Sequence, residues 1–365
     1  MSSVNTIEIT RPDDWHLHIR DGEVLADLLK HTASQFERAI IMPNLKPPVT
    51  TAEMAAAYKK RILAALPVGS SFTPLMVLYL TDNTSADEVK KAHQEGVVGF
   101  KLYPAGATTN SDAGVTDIKK CTKALEAMEA CGMPLLLHGE VTHADVDVFD
   151  REAVFIDQVL EPLRQRHPGL KIIFEHITTK QAAQYVESAD AQRFGAIAAT
   201  ITPQHLLYNR NAIFSGGIRP HYYCLPILKR EEHRQELVRV ATSGNSRFFL
   251  GTDSAPHVKG TKENACGCAG CYTAWHAMPL YAEVFDQANA LDRLEAFASH
   301  FGPDFYQLPR NTGKLILKRQ SQTIPDEFPV GDSAVVPLRA GETLAFNLNV
   351  TGHPFLIRVS NGGPN

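Results

Sequence analysis

The sequence predicts a (β/α)₈ barrel of parallel strands, with short C-terminal strands packed on it. Eight apolar runs rich in β-branched residues recur along the 365-residue chain, and amphipathic stretches with helix-capping residues separate most of them. The first run leads into a His-x-His pair, whereas an open doubly wound sheet would normally carry a glycine-rich phosphate turn at that point. These observations favour the closed barrel over the open sheet.

The predicted strands are short and almost continuously apolar, which is typical of parallel strands buried on both faces. In chain order they are residues 7–10, 39–43, 74–80, 97–103, 134–138, 171–176, 196–202 and 247–252. Capping residues predict helices between them. Ser85 opens one helix that ends at Gly96, Thr116 opens another that ends at Gly132, and Thr179 opens a third.

We interpret residues 1–365 as one domain, because no repeat, low-complexity tract or long linker interrupts the sequence. The barrel core is expected at about residues 7–311 and a C-terminal extension at about 312–365. Within this extension, the segments TGKLILKRQ, DSAVVPL and RVSNGG have the composition of short strands. We expect these strands to pack on the barrel.

The composition is that of a globular protein, with 44% hydrophobic and 21% charged residues. A formal net charge of -4 and the absence of a long basic run argue against nucleic acid as a partner. No apolar stretch approaches 18 residues, and the N-terminus lacks the pattern of a signal peptide. We therefore expect a cytoplasmic protein without a membrane partner.

Three of the six cysteines, Cys266, Cys268 and Cys271, are crowded into the segment CGCAGC. They could form a structural zinc site, although the Cys-x-x-Cys pairs of such sites usually occur twice. The alternative is a tight glycine-rich loop with free thiols, and we favour it.

Polar residues able to hold a metal ion occur where the predicted strands end. His16 and His18 follow the first strand, and residues i and i+2 of an extended segment point to the same side. The others are Lys101 in the fourth strand, His138 in the fifth, His176 in the sixth and Asp253 after the eighth. Each alone has a simpler interpretation, as a buried histidine or a helix cap. Together they converge, because the C-terminal strand ends of a barrel share one face.

Lys101 is the least ordinary of these residues, because a lysine directly follows the apolar run VVGF. An ammonium group has three donors and no acceptor, so it cannot bind a metal ion. A lysine amine that has lost its proton can react with carbon dioxide to give an anionic carbamate. Such a group has two oxygens and can bridge two metal ions.

Several segments resemble the dihydroorotases of the amidohydrolase superfamily, of the bacterial stand-alone type. They are DDWHLHIRDG, MPNLKPPVTT, KLYPAGATTN, HGEVTH, FEHITT, TITPQHL and GTDSAPH, and the resemblance runs from about residue 8 to the C-terminus. It implies two Zn²⁺ per chain, bridged by a hydroxide and by Lys101 as N6-carboxylysine. His16, His18 and Asp253 would hold one zinc, and His138 and His176 the other. It also suggests a homodimer.

The same resemblance implies the reversible cyclisation of N-carbamoyl-L-aspartate to L-dihydroorotate and water, a step of pyrimidine (UMP) synthesis. Asp253 would be the catalytic residue that transfers the proton. The resemblance also implies substrate contacts from Arg20, Asn44 and His257 to the carboxylate, from the backbone of Leu225 and Ala269 to the ring, and from Thr108 and Thr109 on a mobile lid at residues 104–114.

Other interpretations of these residues remain open at this stage. Without the resemblance, Arg20 would be expected to pair with Asp21, and the lid could be an ordinary surface loop. The chain could also be a dihydropyrimidinase- or hydantoinase-like hydrolase of neutral rings, or a metal-binding barrel that has lost activity. Arg20, Asn44 and His257 argue against a neutral ring, and the full ligand set argues against an inactive barrel.

Overall fold

A computed structural model describes residues 5–22, 24–265 and 267–348. The strands are β1 Thr6–Thr10, β2 Asp13–Leu17, β3 Arg38–Ile41, β4 Thr73–Tyr79, β5 Gly99–Leu102, β6 Leu135–Leu137, β7 Ile172–Phe174, β8 Ile197–Ile201, β9 Phe248–Leu250, β10 Lys314–Thr323, β11 Phe328–Val330, β12 Ser333–Val335 and β13 Thr343–Leu348. Strands β2 to β9 form one parallel sheet in sequential order. The predicted barrel is confirmed.

The α-helices of the described chain are α1 Val24–Ala33, α2 Ala52–Ala65, α3 Ala86–Gln94, α4 Thr122–Cys131, α5 Arg151–Phe155, α6 Glu161–Arg166, α7 Lys180–Ser188, α8 Pro203–Leu207, α9 Glu231–Ala241, α10 Lys259–Lys262, α11 Ala277–Gln287 and α12 Phe301–Tyr306. Helices α1 to α9 lie between strands of the barrel, and α10 to α12 follow its last strand. Wider π turns at Ile156–Leu160 and Ala296–His300 lead into α6 and α12, and 3₁₀ turns lie at Ile118–Cys121, Arg210–Ile213, Pro220–Tyr222 and Leu291–Arg293. None of the described helices is long and apolar enough to cross a membrane.

Two of the three predicted helix caps are confirmed. The side chain of Ser85 accepts a hydrogen bond from the backbone N–H of Glu88, and Thr179 caps α7 in the same way. The third was wrong by one residue, because Asp117 caps the 3₁₀ turn before α4 while the Thr116 hydroxyl donates to Asp82 at 2.6 Å. The predicted stop is correct, since Gly132 ends α4 with a φ of 71°.

The first predicted barrel strand was wrong. Residues 7–10 belong to β1, which lies outside the barrel, and the first barrel strand is β2, in the segment that was expected to follow the first strand. Every residue of β2 is buried, and its charged residues have partners. Asp13 accepts two hydrogen bonds from the Arg38 guanidinium, at 2.9 and 2.6 Å. Pairing of this kind is what allows a carboxylate inside a protein.

The barrel closes between its first and last strands through backbone hydrogen bonds. The N–H of Asp253 donates to the carbonyl of His16 at 2.9 Å, and the N–H of His18 donates to that of Ser254 at 3.1 Å. The carboxylate of Asp14 reinforces this closure, since it accepts the backbone N–H and the hydroxyl of Thr252 at 2.9 and 2.6 Å. Two metal-ligand candidates, His16 and Asp253, therefore lie where the barrel closes.

Seven of the eight barrel strands contribute apolar side chains to the interior. They are Trp15, Ile40, Val77, Leu136, Ile173, Ala198 and Phe249, and α12 packs against them, with Tyr306 stacked on Trp15 at 4.6 Å between ring centroids. Strand β5 contributes Gly99 instead, where an added Cβ would lie 2.7 Å from Leu136. Because residues i and i+2 face the same side of a strand, Lys101 also points into the interior.

The C-terminal extension packs outside the barrel as expected. Strand β10 pairs antiparallel with both β1 and β13, and β11 pairs with β12. The segments TGKLILKRQ and DSAVVPL overlap β10 and β12. The third predicted segment, RVSNGG, lies outside the described residues.

Candidate active site

All six predicted metal ligands lie at one end of the barrel, and all are buried. Five of them occupy the C-terminal ends of strands or the first residues after them, and Lys101 is the third residue of β5. Their exposed fractions are 0% for His16 and Lys101, 1% for His138, 2% for His176, 6% for Asp253 and 9% for His18. Six buried polar residues in one place need either mutual pairing or a bound cation.

His16, His18 and Asp253 form a compact group. The Nε2 atoms of His16 and His18 lie 3.4 and 3.2 Å from Oδ1 of Asp253, and one ligand atom from each residue lies within 4.8 Å of the others. Asp253 has a φ of 46°, a left-handed conformation that L-residues adopt rarely and at a cost. The backbone is thus held in a strained conformation where the carboxylate meets both imidazoles.

His138 and His176 continue from this group. The ring of His176 lies 4.8 Å from that of His16 and 4.9 Å from that of His138, centroid to centroid. His176 also has a positive φ, of 39°, and its N–H donates to the Thr200 hydroxyl at 2.7 Å. Four imidazoles therefore line a continuous path across the end of the barrel.

Lys101 lies below this path without a hydrogen-bond partner for its Nζ among the described residues. The nitrogen is 5.0 Å from the centre of the Tyr103 ring. Burial lowers the pKa of Lys101 to about 8. About one Lys101 side chain in ten is therefore the free amine at pH 7, which is far more than for an exposed lysine, and the free amine is the form that reacts with carbon dioxide.

A narrow cavity lies over these residues. It is lined by His16, His18, Arg20, Asn44, Tyr103, Thr108, Thr109, His138, His176, Leu225, Asp253, Ala255, Ala269 and Gly270. Of the predicted substrate contacts, only His257 is absent from this lining, and it lies directly behind Arg20. The structure thus gathers the predicted residues around one cavity.

Arg20 does not pair with Asp21, as the simpler interpretation required. Asp21 binds Arg61 instead, at 2.7 Å. The Arg20 guanidinium donates from Nε to the carbonyl of Pro256 at 3.0 Å and from an Nη to Nε2 of His257 at 2.8 Å. Burial lowers the pKa of His257 to about 2, so its imidazole is neutral and can accept this hydrogen bond. The guanidinium is held at the cavity wall.

The loop at residues 104–114 is folded over the cavity. The Asn44 amide donates to the carbonyl of Thr109 at 3.1 Å, and the Asn110 amide donates back to the carbonyl of Asn44 at 3.1 Å. Inside the loop, the Ser111 hydroxyl accepts from the N–H of Thr108 at 2.9 Å and donates to its carbonyl at 2.6 Å. The loop therefore has a defined internal structure in this position.

Sequence comparisons place the chain in a family. The profile described as the amidohydrolase family matches residues 13–319. The dihydroorotase of Cupriavidus pinatubonensis is 69% identical over 339 residues, which cover 93% of this chain and 97% of that protein. The chain belongs to the dihydroorotase family.

Solved structures agree with this membership. A dihydroorotase from Campylobacter jejuni is 37% identical with a TM-score of 0.86, over 94% of this chain and 97% of that one. A dihydroorotase from Saccharomyces cerevisiae, solved in complex with 5-fluoroorotic acid, is 34% identical with a TM-score of 0.85, over 95% of this chain and 99% of that one. The resemblance predicted from the motifs is confirmed.

This dihydroorotase-family site contains two buried carboxylates that sequence reasoning missed. Oε2 of Glu175 lies 2.5 Å from Nδ1 of His16, and Oε2 of Glu140 lies 2.8 Å from Nε2 of His138. The two glutamates hold opposite ring nitrogens, which leaves Nε2 of His16 and Nδ1 of His138 for another partner. Their proximity to His176 and His138 in sequence was a usable signal, since metal-binding histidines usually donate their second N–H to a carboxylate or carbonyl.

The cysteine segment of this family member gives no zinc site within the described residues. Cys266 itself lies outside them, Cys271 is buried, and Cys268 is partly exposed. The backbone of Cys271 forms a β-bridge with Ser254, and the carbonyl of Cys271 accepts the N–H of Ala255 at 2.8 Å. Cys268 and Cys271 therefore flank Ala269 and Gly270 of the cavity wall, and the choice between a zinc site and free thiols, which depends on Cys266, stays a prediction.

Proposed function

We propose that this protein is a dihydroorotase, which interconverts N-carbamoyl-L-aspartate and L-dihydroorotate with release or uptake of water, in pyrimidine (UMP) synthesis. The observation that carries the proposal is the convergence of the metal-binding set and the Arg20 guanidinium on one cavity. The names of the relatives support it, as does the fluorinated orotic acid bound by the yeast dihydroorotase.

We further propose that the site holds two zinc ions. Nε2 of His16 and Nζ of Lys101 are buried without hydrogen-bond partners among the described residues, so they fit a site completed by a metal centre. His16, His18 and Asp253 would hold one ion, His138 and His176 the other, and carboxylated Lys101 would supply the anion between them. When bound, the two ions would lower the pKa of a shared water and polarise the ring amide carbonyl.

The proton transfer is assigned to Asp253. Asp253 lies at the centre of the group, with its carboxylate 3.2 Å from His18 and 6% of the residue exposed, toward the cavity. Within this proposal it accepts a proton from the attacking water and delivers it to the leaving ring nitrogen, and the order reverses in ring closure. Burial alone would raise the pKa of Asp253, but the hydrogen bond from His18 and the electrostatic effect of His16 and His18 lower it overall, so Asp253 is ionised near neutral pH.

The residues that would select the substrate lie around Arg20 in the cavity wall. Dihydroorotate carries a carboxylate that dihydrouracil lacks, and Arg20 offers donors to it. Its orientation is fixed by Pro256 and His257, and Asn44 lies nearby under the lid. A buried cation left unpaired by a neutral ring would disfavour that substrate.

The test compares dihydroorotate with dihydrouracil in the wild-type protein and in two variants. Arg20→Met should lower kcat/KM for dihydroorotate by roughly 30- to 5,000-fold with unchanged metal content. Arg61→Met is the matched control, since Arg61 is exposed and pairs with Asp21 outside the cavity, and it should leave kcat/KM unaltered. Equal hydrolysis of both rings by the wild type would instead favour a dihydropyrimidinase- or hydantoinase-like enzyme.

The homodimer implied by the resemblance stays a prediction. Light scattering of the purified protein after size exclusion should give twice the chain mass of 40.1 kDa.

A further inference from the structure

A buried lysine, Lys262, lies behind the wall of the cavity that Leu225 and Ala269 form. Lys262 is the last residue of α10, and only 3% of it is exposed. Its ammonium group donates three hydrogen bonds to backbone carbonyls, of Tyr223 at 3.0 Å, Cys268 at 2.8 Å and Gly270 at 2.7 Å. All three N–H donors of the ammonium group are therefore used in hydrogen bonds to the backbone of neighbouring segments.

The three carbonyls belong to two segments that together form one wall of the cavity. Cys268 and Gly270 flank Ala269, and Tyr223 lies two residues before Leu225. Both Ala269 and Leu225 line the cavity. The two segments also bond directly, since the N–H of Gly270 donates to the carbonyl of Tyr223 at 3.0 Å. We call Leu225 and Ala269 the ring wall.

The backbone beside the ring wall is closely packed at Gly270. Gly270 has a φ of 149°, and a Cβ added there would lie 2.8 Å from Ala255 and 3.0 Å from the ring of His257. The His257 ring also hydrogen-bonds to the backbone of Ala269, and the same ring accepts from Arg20. A shift of this wall would therefore reach the guanidinium that faces the substrate.

The lid contacts the same wall. The Thr109 hydroxyl donates to the carbonyl of Ala269 at 3.4 Å, and this is the contact between the folded loop and the far side of the cavity. Without the ammonium group, three carbonyl dipoles would face one another in a buried space, where unpaired acceptors are unfavourable. The two segments would be expected to separate, and the Ala269 carbonyl would shift away from the lid.

We propose that Lys262 is a positioning residue that fixes the ring wall, and so sets the affinity for the substrate ring and the docking of Thr109. The inference rests on the proposed function. Lys262 touches neither substrate nor metal ligand, so its effect should appear in substrate binding and leave the metal content unaltered. A lysine that served folding alone would lower stability without changing KM.

The experiment measures KM and kcat for dihydroorotate, the Kd of 5-fluoroorotate by calorimetry, and metal content. Lys262→Met should raise KM and Kd together by about 10- to 100-fold, because small displacements of positioning groups have effects of this size, with kcat reduced by less than about threefold. Lys262→Arg, which keeps the charge and several donors, should recover most of the loss. Lys259→Met is the matched control, since Lys259 begins the same helix but pairs with exposed Glu327 at 3.2 Å, and it should behave as wild type.

If Lys262→Met yields no folded protein, Lys262→Gln is measured in the same way, because its shorter amide retains two donors. A folded variant that loses thermal stability but keeps KM and Kd within about twofold of wild type overturns the inference alone. A wild-type protein that converts no dihydroorotate overturns the proposed function, and this inference with it. A parallel rise of both constants with metal content intact supports the positioning role.

Discussion

Glu175 and Glu140 determine which nitrogen of a metal-facing histidine is available. A carboxylate accepts the ring N–H, so the nitrogen it holds is the protonated one and the other is free to bind a metal ion. Because Glu175 holds Nδ1 of His16, Nε2 must face the cavity, and Glu140 imposes the opposite arrangement on His138. Two histidines of one site are thus oriented differently by carboxylates on neighbouring strands.

Replacing Glu175 with glutamine tests this orientation. The amide is nearly the same size but can present an N–H to Nδ1 of His16, which would favour the wrong tautomer. We expect metal affinity to fall by about 10- to 100-fold, measured by competition with a chromophoric chelator. Glu53→Gln is the control, since Glu53 is exposed and pairs with Lys91 on the surface. An affinity equal to wild type in Glu175→Gln would contradict the orienting role.

Lys101→Ala should lose bound metal and activity together, because no neutral side chain can supply the bridging anion. A short carboxylic acid such as acetate should restore part of the rate, since a carbamate is in essence a positioned carboxylate. Elemental analysis and a dihydroorotate assay measure the two effects. Full activity at normal metal content would exclude the bridging carbamate.

At the residue scale, the sequence identified the candidate ligands but not the residues that support them. His16, His18, Lys101 and Asp253 were recognisable because their chemistry is unusual at strand ends. Lys262 was not, because a lysine among KGTKEN resembles any solvated charge until its three carbonyl partners are known. Partners distant in sequence leave no local pattern.

The buried hydroxyl of Ser111 stabilises the conformation of the loop at residues 104–114. Ser111 is 1% exposed and bonds both the N–H and the carbonyl of Thr108. Ser111→Ala would remove both contacts and leave a partly buried N–H without its acceptor, a loss of about 1 kcal/mol. We expect KM for dihydroorotate to rise about tenfold with metal content unaltered, because the loop would populate the folded position less.

Ser70→Ala provides the comparison for this loop, since Ser70 also accepts a backbone N–H, from Phe72, but lies far away in sequence, just before β4. Its KM should match that of the wild type. An unchanged KM in Ser111→Ala would show that the Ser111 contacts do not govern the folded position of the loop.

At the level of elements, the error in the first strand has a physical cause. Segments 6–10 and 13–17 are both extended. Only the first alternates between exposed and buried residues, which is the pattern by which a strand is recognised in a sequence. The second is DDWHL, whose aspartates indicate a turn when considered locally. It is buried because Arg38 and Thr252, from the next and the last barrel strand regions, satisfy those aspartates. Periodicity cannot show which charges have partners.

Acid should destabilise the whole molecule through buried neutral histidines. His276 donates from Nε2 to the carbonyl of Leu338 at 2.9 Å, which ties the C-terminal extension to the start of α11, and burial lowers its pKa to about 3. The unfolded chain has the ordinary pKa, 6.5, so between pH 6.5 and 3 it binds a proton that the folded chain does not. Stability is therefore complete above pH 6.5 and falls as the pH decreases through this window.

His276→Gln should make this dependence shallower by about 1 kcal/mol per pH unit below 6.5, because glutamine keeps a donor for Leu338 but does not titrate. Urea unfolding of metal-free protein at pH 7.5, 6.5 and 5.5 measures the difference from wild type. His93→Gln, at an exposed position on α3, should leave the slope unaltered. Identical slopes for wild type and His276→Gln would contradict the assignment.

The pairing of β1 with β10 has a consequence for how the protein is made. Thr6 pairs with Lys318, so β1 finds this partner only after the long stretch of chain between them has been synthesised. Until then β1 is a free edge beside a barrel that cannot close before residues 248–250 emerge. Exposed edges pair with other chains, and long loops close slowly. While it waits for β10, β1 is thus open to pairing with other chains, and the nascent protein is vulnerable to aggregation at this strand.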